Sequence, residues 1–203
     1  MKKIKNRIIR YIYESWWIFL LVGLCFIIGL FFGFLGVNSL NAEQISLLES
    51  IFSDSLTHFE ENLNLISTTR QTTIKSLSNL GKIFVFGLTV IGMPIILAMI
   101  FTRGFVLGFT IGFLIKEKLW QGFLISLLVI VPPNILSIIS YIFGAVVAIN
   151  FSLFLIKGQS QRKIKTSQYF LEYIFIMLGL SILLLSSALI EGYLSPLFLK
   201  LFF

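Results

Sequence analysis

The sequence predicts an all-α polytopic membrane protein of about five transmembrane helices, with one proline-broken segment and an extracytoplasmic amphipathic helical segment. Three observations carry that reading. Hydrophobic residues make up 57% of the 203 and charged residues only 12%, at a mean hydropathy of +0.97. That is too few charges to cover the surface of a soluble domain. The apolar residues fall in long unbroken runs, without the period-two alternation of membrane barrel strands. Lysine and arginine collect in two short segments that flank those runs.

Residues 1–15 form the first basic segment, with Lys2, Lys3, Lys5, Arg7 and Arg10. Trp16–Val37 follows as an apolar run free of charge, long enough for the ~20 residues that a crossing needs. It is too long for a signal peptide and lacks a small-residue cleavage site, so it reads as a retained anchor. Cys25, the only cysteine, lies inside this run, which excludes an intramolecular disulfide. Gly29 and Gly33 stand four residues apart on it.

Residues 38–80 reverse the charge balance, with Glu43, Glu49, Asp54, Glu60 and Glu61 against Arg70 and Lys75. Within them, Ile45, Leu48, Phe52, Leu56, Phe59, Leu63 and Ile66 recur at steps of three and four, the period of an amphipathic helix. Asn41 and Gln44 have the spacing of a capping box at its start. The apolar stripe needs cover from headgroups, the protein's own spans or a partner. Phe52, Leu56, Phe59 and Leu63, with Glu60 and Glu61 beside them, are therefore the candidate docking residues. Residues 67–82 offer a second helix start. Asp54, His58 and Glu61 share a face, but such a trio on a solvated helix is commoner by chance than as a metal site.

Residues 81–156 hold the remaining glycine-rich helices. Ile83–Thr102 has the length of a span and would leave Arg103 at the cytoplasmic side. Gly104–Ile115 is short, and the simplest scheme takes it outward, with "KEKLWQ" (116–121) near the outer face. A competing register breaks at "GMP" (92–94) and makes Ile95–Ile115 one span with Arg103 buried. Gly104, Gly108 and Gly112 are spaced four apart, a pattern that lets two helix backbones approach closely. The partner helix is another part of the chain or a second copy; a homodimer through this face fits the pattern.

Leu119–Ile156 holds 38 charge-free residues, too many for a single crossing at 1.5 Å per residue. Pro132 and Pro133 divide it into a half-length helix, Leu119–Val131, and a full one, Ile135–Ile156, which Asn134 is placed to cap. The break reads as a turn or kink, or else as a discontinuous helix lining a polar cavity. Residues 157–168 form the second basic segment, with Lys157, Arg162, Lys163 and Lys165, and residues 169–203 the last span and an outer C-terminal tail. The positive-inside rule puts both basic segments in the cytoplasm and 38–80 outside.

Function is narrowed mainly by what is missing. No phosphate loop, nucleophile motif or paired carboxylate lies at membrane depth, and Glu172 and Glu191 read as interfacial. An enzyme is not predicted, nor a metal, a cofactor or a nucleic-acid partner. What remains is a scaffold in the lipid bilayer, or a small transporter-like subunit using the break at Pro132–Asn134.

Three stretches, "GLFFGFLGVNSLNAEQ" (29–44), "GLTVIGMPIILAMIFTRGFVLGFTIGFLI" (87–115) and "VIVPPN" (129–134), occur in an order and spacing that resemble the stage II sporulation protein M family of endospore-forming bacteria. The resemblance spans nearly the whole chain. It implies a multi-pass protein of the bacterial cell membrane, at the sporulation septum and the engulfing mother-cell membrane, with its N-terminus cytoplasmic and its C-terminus outside. It further implies a non-catalytic anchor that recruits two peptidoglycan-degrading partners, the stage II sporulation proteins D and P.

Overall fold

A computed structural model describes residues 15–41, 43–48, 50, 65–125, 131–157 and 166–202. All the regular structure among them is helical. Helix α1 spans Trp16–Gly36 and ends in a 3-10 turn at Val37–Ser39. Residues 43–48 are helical, and the Gln44 side chain accepts a hydrogen bond from the Asn41 N–H at 3.1 Å, one half of a capping box. Then come α2 Leu65–Gly87, α3 Gly92–Ile125, α4 Val131–Lys157 and α5 Thr166–Phe202. By length and composition Trp16–Ser39, Gly92–Glu117, Asn134–Ile156 and Ser167–Ile190 are able to cross a membrane. The protein is an all-α polytopic membrane protein.

The contacts fix the helix directions. Phe26 lies against Gly104 and Leu30 against Gly108, so α1 and α3 run parallel. A parallel pair joined through one helix forces that helix to run back between their ends, and α2 does so. Tyr141 donates to the Ser76 carbonyl, Leu80 packs on Gly144 and Ala148 on Gly87; α2 and α4 therefore run together. Ser137 pairs with Ser187 and Phe151 stacks on Tyr173, which sets α5 antiparallel to α4. Thus α1, α3 and α5 run one way, and α2 and α4 the other.

One end of the bundle is tied by polar contacts. Asn150 donates to the Ser15 hydroxyl at 3.0 Å, and the Ser152 hydroxyl to the carbonyl of Thr89 at 2.9 Å. The first holds the residue that precedes α1, the second a carbonyl of the turn between α2 and α3. Lys157 lies on the same helix seven residues beyond Asn150, so the two basic segments leave from this end. At the other end Lys116 donates to the Val37 carbonyl at 3.1 Å, a cation at a helix C-terminus where the dipole favours it.

Helix α4 is the central one: 56% of its span is buried, against 17% and 28% in the other candidate spans. Its Ala145, Val146, Ala148 and Ile149 are fully buried, packing with Val22, Ile83, Ile96, Ile100 and Leu184 of the surrounding helices.

Three boundary expectations are corrected. Ile83–Thr102 is not one span: the chain turns at 88–91, and Gly92 donates to the Thr89 carbonyl at 3.2 Å to close the turn. Pro94 then falls in the first turn of α3, where its missing N–H costs nothing. Gly104–Ile115 is consequently no separate element. Helix α3 runs unbroken through Arg103 and through 116–121 to Ile125, so the competing register holds and Arg103 is internal. No separate helix begins at Leu119: among the described residues, 119–125 belong to α3 and Val131 opens α4.

Candidate functional site

The most unusual chemistry in the bundle is a polar cluster at mid-depth. Arg103 lies close to the centre of the Gly92–Glu117 span, about 16 Å along the helix from Gly92 at 1.5 Å per residue. Its Nη2 donates to the Tyr141 hydroxyl at 2.6 Å, and its guanidinium carbon sits 4.4 Å from the Tyr141 ring centroid. The Tyr141 hydroxyl in turn donates to the Ser76 carbonyl at 3.1 Å. Three helices thus meet at one tyrosine. A charge at the centre of a bilayer costs at least ~2.5 kcal/mol; a charge-assisted hydrogen bond and a cation–π contact offset part of that.

The cluster opens on a cavity of about 530 Å³ between α2 and α3. Asn79, Lys82 and Thr102 line it together with Arg103 and Tyr141, among apolar side chains that include Ile95, Met99 and Val106. Lys82 is one helical turn from Asn79 toward the polar-tied end. The lining contains two cations and no carboxylate.

The glycines predicted as a packing face meet α1 of the same chain. A Cβ on Gly33 would run into the carbonyl oxygen of Phe105, one on Gly29 into that of Phe101, and one on Gly108 into that of Leu30. Gly104 faces the Phe26 carbonyl in the same way, and Gly112 touches Phe34 and Val37. The two ladders interleave, so this face is already filled and a second copy would have to displace α1. Beside it Phe101, Phe105 and Phe109 stack at centroid spacings of 6.4 and 6.2 Å.

Pro132 and Pro133 occupy the first turn of α4, with Asn134 one residue further on, inside the helix rather than ahead of it. The prolines therefore begin a helix, a position where their missing donors are unneeded anyway. Phe52, Leu56, Phe59, Glu60, Glu61 and Leu63 lie outside the described residues, as do Asp54 and His58. Among the described residues no group of three His, Cys, Asp or Glu is placed to hold a metal. Glu172 is exposed near the start of α5. Sequence reasoning raised a buried Arg103 only in its second register and missed Tyr141 and Ser76. The one available signal was a guanidinium in an otherwise apolar run, which needs a partner from elsewhere.

A parallel α1–α3 pair locked by glycines, around a central α4 and with internal polar ties, defines a compact multi-pass helical membrane protein. The family model of stage II sporulation protein M matches residues 22–196, and the chain belongs to that family: it is a sporulation-related membrane protein. The match covers most of the described bundle, from inside α1 to inside α5. No curated protein and no solved structure matches the chain. The family is not known as one of enzymes.

Proposed function

We propose that this protein is a non-catalytic membrane scaffold that recruits and localises peptidoglycan hydrolases, the stage II sporulation proteins D and P, at the septal membrane during engulfment. Membership of the family is the observation that carries the reading. The helix directions lend it support. Both basic segments attach to one end of the bundle, while the acidic stretch that begins at Asn41 leaves from the other. With the basic end in the cytoplasm, the stretch carrying Phe52, Phe59, Glu60 and Glu61 faces the cell wall. A stripe of apolar residues flanked by carboxylates there is suited to a protein partner better than to an anionic headgroup surface.

Co-purification from detergent extracts of sporulating cells tests the proposal. The intact protein recovers both hydrolases, and Phe52→Ser with Phe59→Ser, or Glu60→Lys with Glu61→Lys, lowers that recovery while the protein still elutes as a folded species. Equal recovery with all four changes in place rules out the stretch as the docking surface, and absence of both hydrolases from the intact protein's eluate rules out the scaffold.

A further inference from the structure

We infer that the groove between α2 and α3 seats a transmembrane helix of a partner protein, and that a carboxylate near the middle of that helix pairs with Arg103 and Lys82. The inference goes beyond recruitment through residues 41–64, and either can fail without the other.

Three observations point to the occupant's chemistry. Arg103 offers five N–H donors, of which one is used, by the Tyr141 hydroxyl. Lys82, exposed at the groove wall, has no partner among the described residues. Two cations therefore share one cavity of about 530 Å³ whose lining has no acid to neutralise them. In hydrocarbon such charges are paired, or they face water or protein.

Helix α2 points the same way. It traverses the bundle packed against three apolar helices, α3, α4 and α5, yet Arg70, Gln71, Lys75, Ser78 and Lys82 lie on its exposed side. A helix so polar is poorly solvated by acyl chains, and it needs protein or water against it. On the opposite wall Ala98 and Thr102, both exposed and four residues apart, leave room for a neighbouring backbone to come close.

Depth and composition select among occupants. Arg103 lies about 16 Å from the start of α3, near the middle of a hydrocarbon core about 30 Å thick, too deep for a phospholipid phosphate to reach without carrying its headgroup into the core. A second copy of this chain has no acid at that level. Within the candidate spans the only ones are Glu117, at the end of its span, and Glu172, near the start of its own. A carboxylate carried on another protein's helix meets both requirements.

The test uses the full-length protein, donor-labelled, in phosphatidylcholine vesicles at pH 8. The probe is an acceptor-labelled synthetic Leu/Ala transmembrane helix with a single central Glu, and its twin carries Gln instead. Energy transfer is expected to show the Glu helix binding at least about fivefold more tightly than its twin. Arg103→Gln and Lys82→Gln should each bring the Glu helix down to the twin's level. Lys82→Gln leaves the Tyr141 contact untouched, so its loss cannot be ascribed to unfolding at the cluster. Equal binding of the two helices to the unaltered protein overturns the proposal, as does full preference retained by Lys82→Gln. If phosphatidylglycerol vesicles raise the melting temperature of the unaltered protein but not of Arg103→Gln, and the helices bind equally, an anionic lipid fills the groove and the proposal falls.

Discussion

The guanidinium of Arg103 and the ring of Tyr141, 38 positions apart in sequence, meet at 2.6 Å through the tyrosine hydroxyl and at 4.4 Å from the ring centroid. Tyr141 is 3% exposed, and its own proton goes to the Ser76 carbonyl. One phenol thus couples α2, α3 and α4 where the lipid outside offers no hydrogen bonds.

Tyr141→Phe removes the hydroxyl and leaves the Arg103 donor without its acceptor, while the Ser76 carbonyl, inside α2, keeps its intrahelical N–H. Leaving that buried donor unsatisfied costs about 1–3 kcal/mol. The variant should melt several degrees lower in detergent, read by intrinsic fluorescence against temperature. An unchanged melting temperature would show that the hydroxyl carries no structural burden.

The glycine ladders predict a contrast. Gly33→Leu or Gly108→Leu drives a side chain into the carbonyl oxygen of Phe105 or Leu30 and forces α1 from α3, at a cost of at least about 2 kcal/mol. Gly23 and Gly179 have nothing within 4 Å of an added Cβ. Gly23→Ala and Gly179→Ala should therefore be neutral or stabilising, by up to about 1 kcal/mol, from helix propensity alone. Thermal unfolding of the four proteins side by side decides it.

Two serine contacts should separate by what each leaves behind. Ser152 donates to the Thr89 carbonyl at 2.9 Å and lies 3.4 Å from that of Val90. Ser152→Ala strips the α2–α3 turn of that donor while the Thr89 carbonyl keeps the Gly92 N–H, at a cost of about 0.5–1.5 kcal/mol. Ser187→Ala breaks a hydroxyl pair with Ser137 at 2.8 Å, and interhelical bonds of that kind in membranes average about 0.6 kcal/mol. Limited proteolysis of the two variants should find Ser152→Ala cut faster; the reverse order would contradict the assignment of the turn.

The parallel direction of α1 and α3 was not legible in the sequence, but the means of their approach was. Glycines four residues apart announce a close backbone contact whichever helix supplies the other side. The same holds for Asn41 and Gln44, whose contact is local and needs only their spacing. Arg103 misled because a charge inside an apolar run normally marks its edge; the partner that lets it stay inside is a tyrosine on another helix, invisible to any local window. Helix α2 is expected from the sequence as a helix start over 67–82, but within an outer segment 38–80 and not as a crossing of the bundle. Its first half is rich in serine and threonine and reads as part of that outer segment, whereas in the fold it is a traversing helix held by contacts from α4 and α5. The sequence reads Pro132 and Pro133 as a break within one apolar run, whereas both lie in the first turn of α4. That place makes a helix start look like a mid-helix break when only the sequence is read.

The most direct measurement is the sidedness of the two ends. In a Cys25→Ser background, Glu43→Cys and Gln161→Cys are each treated with a membrane-impermeant maleimide on intact cells stripped of their outer wall layers. The account predicts labelling at position 43 in intact cells, and at position 161 only after permeabilisation. Labelling at 161 in intact cells with 43 protected would turn the bundle over and take the acidic stretch away from the cell wall.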